Sequence, residues 1–121
     1  MTGRIDIKRV YEPAGAQDGF RVLVDRLWPR GLRKKALVHD DWAKEAAPSP
    51  ALRQWFGHKP GHWQEFRRLY RAELRRSEPA LRGLLKKAGR KRLTLLYAAK
   101  DAHYNHAQIL ADYLRRMKKA G

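Results

Sequence analysis

The sequence predicts an α/β fold: a single compact domain with a small, mostly parallel sheet of about three strands covered by four helices. Three short apolar runs, at 5–10, 20–25 and 93–98, have the character of core strands. The connection between the last two runs is long enough for a helical crossover, which makes those two strands parallel. A chain of 121 residues fits one domain, 1–121, with one hydrophobic core.

The first two strands differ in how they are buried. Residues 5–10 alternate apolar with polar, as in a strand with one buried face, whereas 20–25 is more continuously apolar and should be central. Residues 11–19 contain a proline and two glycines and are too short for a standard helical crossover. The two strands therefore either pair as a hairpin or flank a third strand.

Residues 33–42 lack periodicity, and we expect an irregular segment that Trp42 anchors to the core. A short helix follows. Ser49 is its expected N-cap and Pro50 its first residue, and Gly57 ends it after Phe56.

The next helix starts at Pro60 and has one apolar residue every three or four positions, which defines a buried stripe: Trp63, Phe66, Tyr70 and Leu74. A second stripe is expected to face away from the core: Arg67, Arg71 and Arg75. We expect the segment 77–79 to end this helix and to cap another one, which Gly89 closes. The third core strand, 93–98, is followed by a last helix over about 104–118.

Polar side chains follow two of the predicted strands at the point where each strand ends. Residues 25–31 read Asp-Arg-Leu-Trp-Pro-Arg-Gly, and Lys100 and Asp101 follow the third strand. Because the carboxyl ends of parallel strands share one edge, these residues should lie close to the start of the last helix. A helix start offers free N–H groups to an anion. The expected ligand-binding residues are Arg26, Trp28, Arg30, Lys100 and Asn105, with Arg53 and His58 approaching from the short helix.

Asp25 and His106 are the candidate acid–base residues of this edge, should it catalyse a reaction. The alternative is that Asp25 pairs with a neighbouring arginine to brace the corner and that Trp28 only fills the core. The chain has no phosphate-binding loop, no GxSxG and no GxGxxG motif. Its histidine spacings lack the glutamate of HExxH, so we expect no metal site and no cofactor.

Positive charge is the most unusual bulk property. The 28 Lys and Arg residues against 12 Asp and Glu give a net charge of +16, distributed as +5 over 1–60 and +11 over 61–121. Such a field favours weak, salt-sensitive association with nucleic acid. The alternative function is therefore nucleic-acid binding through the basic surface of 61–121, with Arg67, Arg71 and Arg75 along the phosphate backbone. The other interpretation is that the basic residues only form a solvated surface and reflect a GC-rich coding sequence.

No cysteine is present, which excludes disulfides and thiol nucleophiles. The amino-terminal residues do not resemble a signal peptide, and no stretch has the length of a membrane span. We therefore expect a cytoplasmic protein with no membrane partner, and the sequence leaves its oligomeric state open.

Several of these segments together resemble the YeaO-like proteins, a family of small bacterial proteins with a domain of unknown function (number 488). The resemblance covers nearly the whole chain and rests on residues 7–11, 18–31, 47–49, 52–53, 55–58, 66–67, 70, 73–74, 94–101 and 105–107. It implies a compact α/β domain without an established activity. Longer relatives carry cysteines near the segment that matches 97–106, and thiol chemistry cannot be transferred because this chain has none.

The expected function is that of a cytoplasmic protein that binds a small anionic or phosphorylated ligand at the carboxyl ends of the core strands, with a nucleotide as one candidate. Nucleic-acid binding and a purely structural corner are the two alternatives.

Overall fold

A computed structural model describes residues 3–57 and 59–120 of the chain. Four strands form one sheet: β1 (Ile5–Arg9), β2 (Phe20–Leu23), β3 (Asp41–Trp42) and β4 (Leu93–Tyr97). Their order is β1-β4-β2-β3, and every neighbouring pair is parallel. The predicted α/β class is confirmed, with one strand more than expected.

Four helices accompany the sheet: α1 (Pro50–Phe56), α2 (Trp63–Arg76), α3 (Glu78–Ala88) and α4 (His106–Ala120). Two short 3₁₀ turns, Lys44–Ala46 and Pro60–His62, precede α1 and α2. No helix in the described segments is both long and apolar enough to cross a bilayer.

The position of β4 decides between the two arrangements left open for the first strands. β4 lies between β1 and β2 and pairs with both, so the hairpin does not form. Each of the three strands starts at the same edge of the sheet, called the amino edge below, and finishes at the opposite carboxyl edge. The parallel pairing of β2 with β4, predicted from the long connection, is confirmed.

The helices cover one face of the sheet, and two return segments cover the other. Alternate strand residues such as Val22 and Leu95 belong to the main core with all four helices. Leu23 and Leu96 point to the second face, where they form a smaller cluster with Leu37 and Trp28. The segments 10–19 and 24–40 therefore return the chain to the amino edge without a helix.

A buried ionic cluster replaces apolar packing at the amino end of this second face. The Asp18 carboxylate accepts hydrogen bonds from the Gly15 amide at 2.9 Å and from Lys8 Nζ at 3.0 Å, and it pairs with the buried Arg21. The Gly15 amide, with Lys8 and Arg21, lowers the pKa of Asp18 to about 2 although burial opposes the shift. The Asp18 carbonyl also accepts a hydrogen bond from the Thr94 hydroxyl, which ties the loop to β4.

Two local predictions were wrong. Residues 41–42 were expected within an irregular segment, but they pair with β2 as the edge strand β3. Such a short strand carries no periodicity of its own, so its pairing depends on its neighbour. Ser77 lies at the start of α3 as predicted, yet its side chain makes no capping hydrogen bond.

Candidate functional site at the carboxyl edge

Asp25 joins the ends of the two central strands to the start of α4. Its Oδ2 accepts a hydrogen bond from the Ala98 amide at 3.1 Å, and its Oδ1 lies 3.3 Å from His106 Nε2. Its backbone carbonyl accepts a hydrogen bond from Trp42 Nε1 at 2.6 Å. The carboxylate side chain is 18% exposed, so this contact network lies at the rim of the core.

The same contacts orient the ring of His106. Its Nε2 lies 2.9 Å from the Val24 carbonyl oxygen as well as 3.3 Å from Asp25 Oδ1. A carbonyl oxygen can only accept, so Nε2 carries the proton in this arrangement. Nε2 is therefore a donor, and its hydrogen bond to Val24 orients the ring.

Asn105 is fully engaged in the cap of α4. Its Oδ1 accepts a hydrogen bond from the Gln108 amide at 3.1 Å, while its Nδ2 donates to the Asp101 carbonyl at 2.8 Å. The Asp101 carboxylate in turn accepts from the His103 and Tyr104 amides, which shapes the loop before the helix. Asn105 is 1% exposed, and its amide acts as an N-cap.

Two arginines at this edge are held by backbone carbonyls. Arg26 donates from Nε to the Pro48 carbonyl and from Nη2 to the Ala47 carbonyl, both at 3.2 Å. Arg9, the last residue of β1, donates from Nε to Ala99 at 2.9 Å and from Nη2 to Ala98 at 3.1 Å. Within the described residues, neither guanidinium forms an ion pair with a carboxylate. Both retain their full positive charge.

Arg30 and Lys100 lie at the same edge as predicted, and Tyr11 links the two regions. The Tyr11 hydroxyl donates to the Arg30 carbonyl at 2.8 Å, and the Arg9 guanidinium lies 4.7 Å from the centroid of the Tyr11 ring. Arg9 in turn binds the carbonyl of Ala99, which immediately precedes Lys100. The side chains of Arg30 and Lys100 are exposed.

Of three further residues predicted for the site, one packs inside the protein, one is exposed and one is not described. Trp28 packs against Trp42 and His39 and donates from Nε1 to the Leu32 carbonyl at 2.7 Å, so its indole holds the second face together. Arg53 is exposed in the last turn of α1. His58 lies outside the described residues.

An aromatic stack connects α2 to the site from behind. The Tyr70 ring meets the His106 ring at a centroid distance of 6.2 Å, and Phe66 and Trp63 continue the row toward the exposed Tyr104. Tyr70 is completely buried, and its hydroxyl donates to the Ala46 carbonyl. Burial raises the pKa of Tyr70 well above its ordinary value, so the phenol stays neutral and rigidly packed.

Two concavities lie away from this edge. One, of about 210 Å³, lies between the turn Lys44–Ala46 and α3, and the other, of about 490 Å³, lies between α1 and α2 beside the exposed Trp55. Neither is lined by the residues predicted to bind a ligand at the carboxyl edge. Across residues 3–57 and 59–120, no group of three histidine or acidic side chains is arranged to hold a metal ion.

The arginine stripe of α2 is less exposed than predicted. Arg67 and Arg71 are half-buried, and the Arg71 guanidinium lies 6.0 Å from the ring centroid of Tyr113 on α4. Only Arg75 of the stripe is fully exposed. Helix α4 packs beside α2 and the Arg71 side chain lies against it, so the stripe offers less free surface than an isolated helix face would.

Arg9 and Tyr11 are the residues of this edge that sequence reasoning missed. Arg9 ends an alternating strand and Tyr11 follows it, so both positions were visible as the carboxyl end of β1. What was missing was the sheet order, because only the insertion of β4 beside β1 brings these side chains to the ends of β4 and β2.

Comparison with known proteins defines the relationship. Residues 4–120 match the sequence model of a family described as the inactive DUF488-N3 subclade. The chain is 48% identical over 113 residues to the uncharacterized protein YeaO of Escherichia coli K12, covering 93% of this chain and 98% of that protein. It is 42% identical over 111 residues to the uncharacterized protein Rv3073c of Mycobacterium tuberculosis H37Rv, covering 92% and 93%. No solved structure matches significantly. This chain therefore belongs to the inactive DUF488-N3 subclade and is a YeaO-like protein.

Proposed function

We propose that the carboxyl edge of the sheet binds a small anionic or phosphorylated ligand, and that the domain acts by binding and not by turnover. The observation that carries the proposal is the pair of guanidinium groups of Arg9 and Arg26, each held by two backbone carbonyls. Carbonyls fix a guanidinium without cancelling its charge, so both groups are pre-organised for an external anion.

Each of these arginines has donors to spare. A guanidinium carries five N–H groups, and Arg9 and Arg26 each use two nitrogen atoms on carbonyls. The exposed side chains of Arg30 and Lys100 add two mobile charges at the same edge. A phosphate group has enough acceptor oxygens to engage several of these donors together, and a nucleotide is one candidate ligand.

The roles of Asp25 and His106 support binding without catalysis. The Asp25 Oδ2 accepts a hydrogen bond from the Ala98 amide, and His106 Nε2 donates to the Val24 carbonyl and lies 3.3 Å from Asp25 Oδ1. Both groups are held by contacts inside the molecule, and we infer that the pair braces the edge on which the arginines sit. The description of the family as an inactive subclade agrees with this inference.

The test measures binding of pyrophosphate and of ADP by isothermal titration calorimetry at low salt. Arg30→Gln and Lys100→Gln each remove one exposed charge without touching a buried contact. We expect each substitution to weaken binding about tenfold, the loss of one charge-assisted hydrogen bond. The matched control is Lys86→Gln, an exposed lysine on α3, which should leave the affinity unchanged. Undetectable binding by the wild type, or equal affinity of all three variants, would contradict the proposal.

The variant Asp25→Asn distinguishes a purely structural corner from an anion-binding one. An amide cannot accept from both the Ala98 amide and His106 Nε2, so this variant should lose about 1 to 3 kcal/mol of unfolding free energy. If the corner only braces the fold, that loss is the whole effect. If the edge binds anions, the loss of stability is accompanied by weaker binding of pyrophosphate at a temperature where the variant is folded.

A further inference from the structure

The amino edge of the sheet gathers cations from segments that are distant in sequence. The starts of β1 and β4 meet there, because the Leu93 amide donates to the Arg4 carbonyl at 2.7 Å. The backbones approach so closely that a Cβ on Gly3 would lie 2.0 Å from the Lys91 carbonyl oxygen. The basic turn before β4 is therefore fixed against the first residues of β1.

The end of α4 reaches the same place, because this helix starts at the carboxyl edge and runs back along the sheet. Arg115 donates from Nη2 to the Ile5 carbonyl at 2.6 Å, and Lys118 Nζ donates to the Gly3 carbonyl. These contacts also occupy outward-facing carbonyls of the edge strand β1. The result is a cationic surface, called the amino-edge patch, that consists of Arg4, Lys91, Arg92, Arg115, Lys118 and Lys119.

Few carboxylates offset this charge. Asp6 lies 3.6 Å from Arg4 and 3.4 Å from Arg92, and Asp112 lies 3.0 Å from Arg115. Lys91 and Lys119 are exposed, and within the described residues neither forms an ion pair. Six cations against two carboxylates leave a strong positive potential, which the negative end of the α4 dipole reduces only by about half a charge.

Two of the cations are held in place by neutral acceptors. Lys118 and Arg115 are bound to backbone carbonyls, so their orientation is fixed while their charge is retained. Fixing a long side chain in advance lowers the conformational entropy that a partner must remove on binding. The patch thus combines two oriented cations, Arg115 and Lys118, with exposed lysines that can adapt to a partner.

The chemistry of the patch favours a nucleic-acid backbone over a lipid surface. A membrane-binding patch combines basic residues with apolar side chains that enter the bilayer interface. The large apolar side chains that are exposed in the described residues lie in other segments: Tyr11, Leu27, Val38, Trp55 and Tyr104. Arginines, in contrast, bind phosphate oxygens through a planar fork, and three of the six cations are arginines.

We propose that the amino-edge patch binds the phosphate backbone of double-stranded nucleic acid without sequence preference. The interaction is electrostatic and independent of the carboxyl edge, because the two surfaces lie at opposite ends of the parallel strands. It also differs from binding through the α2 arginine stripe, of which two members are half-buried.

The test measures fluorescence anisotropy of a labelled random-sequence DNA duplex at salt concentrations from about 50 to 300 mM. The patch variant combines Arg4→Gln, Lys91→Gln and Lys119→Gln. The matched control combines Arg33→Gln, Lys34→Gln and Lys35→Gln, three exposed residues of the segment 24–40. Both variants lose three charges from the formal +16, so their net charges are equal.

We expect the patch variant to bind at least tenfold more weakly at low salt, and its slope of log affinity against log salt to be shallower by about 2 to 3. The control should stay within about twofold of the wild type. Equal losses in both variants would mean that only net charge matters and would overturn the proposal. So would the absence of duplex binding at low salt, or binding to phosphatidylserine vesicles without binding to the duplex.

Discussion

Asp18 illustrates how a single carboxylate stabilises a face of the sheet that has no helix over it. It is buried, and the Gly15 amide, Lys8 and Arg21 all donate to it. Arg21 is itself only 4% exposed, so the two residues form a buried ion pair, and removing either partner would leave a buried charge unpaired. This network keeps the return segment 10–19 closed over β2 and β4.

The depressed pKa of Asp18 predicts a loss of stability in acid. Its value is about 2 in the folded protein against 3.8 for an ordinary aspartate, so its contribution is complete above pH 3.8 and is lost as pH falls toward 2. Between pH 6 and pH 3 this linkage should remove about 1 kcal/mol. Urea unfolding measures the free energy of unfolding of the wild type and of Asp18→Asn. The difference between these two free energies should therefore decrease by this amount between pH 6 and pH 3.

The control for the acid effect is Asp112→Asn on α4, whose carboxylate is exposed and pairs with Arg115. This substitution changes net charge as Asp18→Asn does, but it removes only an exposed ion pair, so the unfolding free energy should differ little from that of the wild type. If the difference in unfolding free energy between the wild type and Asp18→Asn stayed constant down to pH 3, the Asp18 carboxylate would titrate normally in the folded protein.

At the scale of elements, α3 contains a glycine without a visible structural role. Gly83 is exposed inside the helix, and a Cβ at this position would meet no atom within 4 Å. Replacement by alanine reduces the backbone freedom of the unfolded chain, so Gly83→Ala should stabilise the protein by about 0.5 to 1 kcal/mol. The midpoint of thermal or urea unfolding measures the gain.

Gly89, at the end of the same helix, is the matched control. Its backbone has φ of 60° and ψ of −124°, a conformation that L-residues rarely adopt, so Gly89→Ala should lose about 1 to 3 kcal/mol. If Gly83→Ala and Gly89→Ala changed the stability in the same direction, backbone conformation would not explain the effects of the two substitutions.

Elements with local signals were predictable from the sequence, and elements defined by a neighbour were not. The first helix starts and stops as predicted because Ser49, Pro50 and Gly57 each act on their own backbone. The Ser49 hydroxyl in fact serves two partners, accepting from the Leu52 amide and donating to Glu73 on α2. Strand β3 was missed because its pairing with β2 is a property of the folded sheet.

Some residues of the candidate site could likewise be predicted from the sequence, and others could not. The meeting of Asp25 with the start of α4 followed from parallel strands, and that prediction needed only the length of one connection. Arg9, which donates to the Ala98 and Ala99 carbonyls, could not be predicted as part of the site. It lies on β1, and no short stretch of sequence indicates the order of the strands in the sheet. Whether a side chain such as Trp28 faces a ligand or fills the core also depends on long-range packing.

At the scale of the whole molecule, the net charge of +16 destabilises the compact state through mutual repulsion. Within the described residues, exposed cations such as Lys91 and Lys119 form no ion pair, and Arg9 and Arg26 at the carboxyl edge donate to backbone carbonyls. Added salt screens this repulsion, and the Debye length falls from about 30 Å at 0.01 M to about 10 Å at 0.1 M. Screening also weakens the surface ion pairs, but each of those contributes little.

Salt should therefore raise the melting temperature. Between about 0.01 M and 0.3 M sodium chloride we expect an increase of about 3 to 8 °C by differential scanning calorimetry. The variant with Arg4→Gln, Lys91→Gln and Lys119→Gln should melt higher than the wild type at low salt. Its melting temperature should rise less with added salt, because part of the repulsion is already removed.

Phosphate at matched ionic strength should stabilise the wild type further, since an anion that occupies the carboxyl edge adds binding energy to screening. A melting temperature that falls with salt would mean that attractive ion pairs, and not repulsion, dominate the electrostatics of the fold.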